Sequence, residues 1–502
     1  MYVPETIHAE PRGREATEDV GAAASADQCP VDHAAEGSTS PESAAPLPRA
    51  AIPAIALPGP RMPVLFQMLT YWKRPAAFVE RCRDRYGSRF VLRIRIPTRP
   101  LYVLTDPEDV KQMFLAPADV LHTGNGSAVL EKFFGQTGLA WLDEDEHKVR
   151  RKHIMQSVHG KALQRIEASI TEMARQEIAN WPQDKAIPLH PLIHHFTLNV
   201  IREVIFGSAR PKCWEELLDV LKQMIKFNYK IASTMMIHKM SPAAVRLLTA
   251  IRPLGLHDFL KLRERADALI AEAVEERRNV GEPGDDMLAV LLGITHDDGS
   301  PLTAQEFRDE IMTMFLAGTE TTSAALAWAF EYLSREHAAR DRLVAEIDNG
   351  EDDAYVTATA QEVLRLRPSV PQIIVREVMK PIEIGGVRYE PGMLLLASPY
   401  LLHRNPTLYP GPEAFRPERF LGIKPGIYTW IPYGGGRIRC LGAAVADLEM
   451  KAVIREVMGR FELRRVDPRP EKIRMHLITY LPANGTRLEL RARSPEASLA
   501  GS

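Results

Sequence analysis

The sequence predicts a mainly α fold with a small β portion, gathered into one large domain. Three observations carry this. One proline-free, apolar run of helix length lies at 304–335, other helix-patterned segments flank it, and only a few short alternating segments read as strands. The chain has 502 residues, 45% of them apolar and 25% charged, with a formal net charge of −2. That balance excludes a wholly disordered chain, and it gives no basis for binding nucleic acid through bulk positive charge. No segment approaches the ~18 consecutive apolar residues of a membrane span, and the acidic start MYVPETIHAEPRGRE is not a secretory signal. Four sparse cysteines, Cys29, Cys82, Cys213 and Cys440, form no C-x-x-C pair and no disulfide framework. The expected setting is a reducing one, and the default location is cytoplasmic.

Taken in order, residues 1–56 are rich in Ala, Ser, Pro and Glu and cannot bury enough apolar area to offset their ordering entropy, so they read as a disordered leader. The folded domain is expected over 57–492, followed by a tail at 493–502. FVLRIRI (90–96) and PLYVLTD (100–106) read as a strand hairpin. GVRYEPGMLLLAS (386–398) reads as another strand pair, and Asn484-Gly485 between apolar runs as a hairpin turn. The β portion is expected chiefly from the N-terminal hairpins. LRERADALIAEAVEERRN (262–279) has helical composition and spacing. Thr303-x-x-Glu306 is a capping box that opens the long helix, about 45 Å at 1.5 Å per residue. Thr359-x-x-Glu362 reads as a second box, with Pro368 ending that helix. The Met-rich stretch 221–240 suits either core packing or a substrate lid.

Cys440 carries the chemistry. It follows Gly434, Gly435 and Gly436, precedes a helix-patterned run, and is flanked by Arg437 and Arg439. A helix N-terminus and two guanidiniums favour a thiolate, either nucleophile or metal ligand; a small buried cysteine on a glycine turn is the competing reading.

The segment resembles the cysteine-ligand loop of the cytochrome P450 family, F-x-x-G-x-R/H-x-C-x-G. Gly436, Cys440 and Gly442 match, whereas Tyr433 replaces the Phe and Ile438 the Arg or His that commonly binds a haem propionate. AGTETT (317–322) resembles the oxygen-binding motif of the family's central helix, Glu362-x-x-Arg365 its E-x-x-R signature, and HRNPTLYPGPEAFRPERF (403–420) the segment supplying Arg419 to that ion pair. His147-x-x-x-Arg151 and Arg376 resemble its propionate-binding positions. The resemblance covers residues 57–492 and implies the family's fold and a haem b (iron protoporphyrin IX) cofactor. It makes Cys440 the iron ligand and gives the cofactor contacts to His147, Arg151, Arg376, Gly436 and Arg437 or Arg439. Thr321 and Glu320 take proton delivery. The implied activity is insertion of one oxygen atom from O2 into a hydrophobic substrate such as a fatty acid, terpene or steroid. A peroxide-using enzyme of the same fold and a non-catalytic haem-binding or gas-sensing protein are the alternatives. Because 62 residues follow Cys440, a fused reductase is not expected, and electrons would come from a separate ferredoxin or flavodoxin with its reductase. Met312, Phe315, Leu316, Ile373, Ile374 and Val375 are the expected apolar lining, and Lys148, Lys152, Arg437 and Arg439 an expected basic docking face.

Overall fold

The computed structural model describes residues 52–493 except 95–98, 125–134, 136, 209, 229–255, 281–283, 373–374 and 477. The leader before residue 52, the tail after 493, most of the Met-rich stretch, and Ile373 and Ile374 lie outside the described residues. Residues 52–56, expected in the leader, belong to the folded body. Ile52 and Pro53 form β1, and Ala54 is 1% exposed. At the other end Arg493 is tied in by an ion pair to Asp348 at 2.5 Å.

Helices dominate. In chain order they are α1 (Val64–Lys73), α2 (Pro75–Tyr86), α3 (Pro107–Leu115), α4 (Glu144–Ile154), α5 (Gly160–Ile178), α6 (His190–Phe206) and α7 (Trp214–Asn228). There follow α8 (Leu256–Val280), α9 (Met287–Leu292), α10 (Ala304–Leu333), α11 (His337–Asp348), α12 (Ala354–Leu366), α13 (Pro399–Leu402) and α14 (Ala443–Arg460). The long helix α10 opens on the expected capping box: the Thr303 hydroxyl accepts from the Glu306 N–H at 3.2 Å and the Glu306 carboxylate from the Thr303 N–H at 2.9 Å. Its C-terminal half is buried all round, packed against α6 and α14 within one apolar cluster that includes Ile193, Val200, Trp328, Phe330, Val453 and Ile454. A helix so enclosed shows no polar stripe, which is why its sequence is apolar on every face.

The β portion is assembled from both ends of the chain, not chiefly from N-terminal hairpins. The strands are β1 (Ile52–Pro53), β2 (Arg89–Leu92), β3 (Leu101–Leu104), β4 (Leu121–His122), β5 (Ala186–Pro188), β6 (Arg376–Val378), β7 (Ile382–Ile384), β8 (Val387–Tyr389), β9 (Leu394–Ala397), β10 (Phe461–Arg465), β11 (Ile473–His476), β12 (Thr479–Pro482) and β13 (Arg487–Ala492). The expected β2–β3 hairpin forms, with Phe90 opposite Val103. It joins a five-stranded sheet of order β2-β3-β9-β6-β4. The expected pair within 386–398 does not form: β8 pairs with β7 and β1, and β9 with β3 and β6. Nor is Asn484-Gly485 a hairpin turn. Gly485 has φ 69°, but the turn hands the chain from the β11–β12 pair to the separate β10-β13-β5 sheet. Local turn chemistry specifies a reversal, not which strand is met afterwards. The second capping box is also absent, since Thr359 and Glu362 are fully buried in mid-helix.

Candidate functional site

Glu362 and Arg365 show why that box reading failed. Both are 0% exposed, and Arg365 holds Glu362 through a two-point fork at 2.6 and 2.8 Å. Arg419 adds a third contact at 3.3 Å, as the resemblance implies. The remaining Arg365 N–H groups donate to the carbonyls of His403 (2.9 Å), Pro412 (2.8 Å) and Ala414 (3.2 Å). His403 accepts from the Ile431 N–H at 2.8 Å, which places its own proton on Nδ1, and burial pushes its basicity down to about 3. The loop after α13 is thus shaped around a side chain, and it delivers the chain to the cysteine segment.

That segment needs its glycines. Gly434 and Gly436 adopt φ 68° and 66°. A Cβ on Gly435 would sit 2.3 Å from the Phe114 ring of α3, and one on Gly436 2.4 Å from the Phe114 carbonyl. Pressed against α3, the loop turns so that the Cys440 N–H donates to the Tyr433 carbonyl at 2.8 Å. Tyr433, where the resembled family has Phe, donates its hydroxyl to Asp447 on α14 at 2.6 Å, and Arg439 lies 5.8 Å over its ring. Cys440 is exposed and helps to line a cavity of about 340 Å³. The expected thiolate preference is overturned for the thiol by itself: burial raises its pKa, outweighing the Gly442 N–H, Arg439 and Arg151, which lower it. A bound cation would favour the thiolate form of a cysteine so placed.

Beside the loop stands a group of cations. Arg376, on β6, is 1% exposed; it donates to the Met113 carbonyl at 2.6 Å and the Gly435 carbonyl at 3.4 Å, and its Nε has no partner. Arg437 donates from Nη2 to the carbonyls of Ala118 and Leu121, while its Nε and Nη1 have no partner. His147 on α4 is pushed down to about 4 by burial and by Arg151 and Arg437, and Arg376 to about 9 by burial and Arg437. The nearby carboxylate, Asp143, is occupied by the N–H groups of Thr123 and Gly124. Among the described residues no carboxylate pairs with Arg151, Arg376, Arg437 or Arg439. Buried cations with idle donors and no counter-charge fit a ligand carrying carboxylates. Of the two candidates to replace the missing residue at Ile438, Arg437 has the idle donors, and Arg439 is engaged with Tyr433.

Facing Cys440 across the cavity are residues of α10. Thr321 donates to the Ala317 carbonyl at 2.7 Å, and its own carbonyl accepts from Ser369 at 2.6 Å. The helix runs unbroken through Gly318. Its missing Cβ is the space into which Ile201 of α6 packs, 2.2 Å from where a Cβ would be. Glu320 is 6% exposed and, like Thr321, lines the cavity. Its Oε1 takes a 2.5 Å hydrogen bond from His476 Nδ1 and its Oε2 lies 3.6 Å from His194 Nε2. Burial alone would raise this carboxyl; the His476 hydrogen bond reverses the direction and holds it below the usual range.

The apolar lining differs from expectation. Leu316 faces the cavity, but Met312 and Phe315 point into the core, Phe315 stacked on Trp214 at 5.9 Å, and Val375 packs with a separate cluster. Met314, Ala317, Trp141, Ile201 and Ile478 line it instead. Proximity to a motif in sequence does not fix the helical phase. His190 and His194 sat at visible i,i+4 spacing in HPLIHHF, but nothing in the sequence linked them, or the distant His476, to Glu320. Glu449 of α14, also missed, lines the cavity and is kept protonated well above the usual range by burial.

A mainly α body, a cysteine on one wall of an apolar cavity, an acid–alcohol pair on the other and idle cations beside the cysteine define a haem-thiolate oxidoreductase. The comparisons give the family: the cytochrome P450 family model matches residues 55–488, and the chain belongs to that family. It is 32% identical over 444 residues to "Putative cytochrome P450 135B1" of Mycobacterium tuberculosis, covering 87% of this chain and 91% of that one. It is 33% identical over 455 residues to "Putative cytochrome P450 138" of the same species, covering 90% and 99%. Among solved structures, the heme domain of cytochrome P450DA matches at TM-score 0.74 and 20% identity, covering 89% of this chain and 99% of that one. "Retinoic acid bound cyanobacterial CYP120A1" matches at 0.72 and 20%, covering 85% and 96%. The cofactor is therefore haem b and the activity class is monooxygenase. No described helix is long and apolar enough to cross a membrane.

Proposed function

We propose that this enzyme hydroxylates a hydrophobic small molecule of the fatty-acid, terpene or steroid kind, with electrons from a separate ferredoxin or flavodoxin. The observation that carries this is the cavity: most of its lining is apolar, including Trp141, Ile154, Ile201, Met314, Leu316 and Ile478, with the polar groups gathered along α10, at Glu449, and at Ser369, His476, Thr479 and the Cys440 loop. Such a pocket holds an apolar molecule by exclusion from water and leaves polar contact to the reacting end.

In this reading Cys440 would ligate the haem iron, and Arg376, Arg437, His147 and Arg151 would receive the propionates, with Gly436 letting the loop close against Phe114 of α3. Haem supplies activation of O2 and transfer of one oxygen atom when bound. The chain supplies the rest. Thr321 holds a hydrogen-bonding hydroxyl at the cavity wall, Glu320 supplies protons from behind it, and the apolar walls keep bulk water away from the reacting centre. Lys148 and Lys152, exposed one helical turn apart on α4, remain as the basic docking face for an acidic electron donor. Arg437 faces inward and leaves that set.

The test has two parts. The reduced protein with carbon monoxide should show the red-shifted Soret band of thiolate-ligated haem, and Cys440→Ser should lose it; a retained band overturns the ligand assignment. Fatty acids, terpenes and steroids should displace water from the ferric iron in optical titrations, whereas polar analogues should not. Equal response to polar compounds overturns the substrate class.

A further inference from the structure

The acid of the central helix is paired with histidines drawn from two distant parts of the chain. His476 ends β11, and the Thr479 hydroxyl donates to its carbonyl at 2.8 Å, fixing the turn that aims the ring at Glu320. His194 comes from α6, and its ring lies 5.9 Å from that of His190 one helical turn earlier. The Nε2 of His190 in turn lies 3.4 Å from the Ser323 hydroxyl on α10. All four ionisable residues are buried, with exposures between 3% and 8%.

We propose that His476, with His194 flanking the pair, is the immediate proton donor to Glu320 in delivery to the cavity. This deepens, and rests on, the reading of Glu320 as proton supplier. An arginine partner would pin the carboxylate but could not release a proton, whereas an imidazolium can. In the transfer the Nδ1–H bond of the His476 imidazolium breaks and an Oε1–H bond forms. Neutral imidazole and neutral carboxylic acid result, and no electron moves. Water reprotonates the imidazole once Glu320 has passed its proton on. Burial pushes His190 and His194 toward the neutral form, and neither touches Glu320 as closely as His476 does. The other charged groups around the cluster are Arg474 of β11, His195 of α6 and Lys222 of α7, and none replaces His476 in contact with Glu320.

The experiment uses the full chain in two states. In nitrogen-15 spectra of the haem-free protein, His476 Nδ1 should carry a proton in a strong hydrogen bond, unchanged in Thr321→Ala and lost in Glu320→Gln. In the haem-loaded protein, electron consumption in air is followed with a plant-type ferredoxin and its reductase as donor. The wild-type rate should show a solvent deuterium effect. His476→Gln should be slowed about tenfold and lose that effect, and His194→Gln should change the rate by less than about twofold. A wild-type rate and deuterium effect in His476→Gln, with Glu320→Gln slowed, overturns the His476 proposal alone. An unchanged rate in Glu320→Gln overturns the underlying reading as well. An unprotonated Nδ1 in the spectra overturns the pairing independently of turnover.

Discussion

The two sides of the site, the cations beside the Cys440 loop and the acid on α10, are electrostatic opposites. On the Cys440 side, Arg376 and Arg437 present idle N–H groups with no carboxylate to meet them. On the α10 side, the Glu320 carboxylate has a hydrogen bond from His476 at 2.5 Å and His194 nearby at 3.6 Å. Buried charge left unpaired in one place and closely paired in another reflects two different jobs. In the proposed reading an anionic ligand would meet the first set, whereas Glu320 already has its hydrogen-bond partner in His476.

The sharpest way to break this contrast is Arg376→Met. Loss of a charge-assisted contact to the cofactor costs about 2 kcal/mol, so haem affinity should fall roughly 30-fold by competition with a haem acceptor. Retained affinity would show that the cation group is not a carboxylate site. On the opposite wall, Thr321→Ala should leave haem and carbon monoxide binding intact but reduce product per electron pair about tenfold, with peroxide released instead. Unchanged coupling would mean that the Thr321 hydroxyl is dispensable.

A subtler effect sharpens the comparison in the haem-free protein. Arg376 has its basicity depressed to about 9 in the fold by burial and by Arg437. Between that value and the ordinary arginine range, the unfolded chain binds the proton and the folded chain does not, so stability must rise with pH from about 9 upward. Melting curves of the haem-free wild type relative to Arg376→Met should diverge in that direction; parallel curves would refute the depression. The smallest effect is expected outside the cavity. Lys148→Glu should slow reduction by an acidic ferredoxin about threefold at low salt, with the difference vanishing at high salt. A salt-independent rate would remove α4 from the docking face.

The sequence made some of this legible and hid the rest for identifiable reasons. The capping box at Thr303, the β2–β3 hairpin and the glycine run before Cys440 are local features whose physics lies within a few residues. The buried Glu362–Arg365 pair was readable only through motif order, because an i,i+3 acid–base pair looks the same on a surface. Which strand β8, β9 or β13 would join was unreadable, since pairing depends on chain reversals far away. The His476–Glu320 contact spans 156 positions and leaves no periodic trace. The thiol's raised pKa was missed because flanking arginines are visible in a sequence whereas burial is not. The lining was misjudged by one or two residues on α10, enough to exchange Met312 for Met314 across the helix.

The hydrogen bonds of Arg365 also impose an order on the making of the protein. A chain leaves the ribosome N-terminus first, so this guanidinium emerges well before its acceptors, whose carbonyls follow 38, 47 and 49 residues later. During that interval Glu362 and Arg365 can hold one another, but the side chain around which the following loop must wrap has nothing to wrap. Cys440 is synthesised later still. The Cys440 loop can therefore take its shape only as a late event of biosynthesis, and a nascent chain stalled before residue 403 would leave the Arg365 N–H groups without any of these three carbonyls.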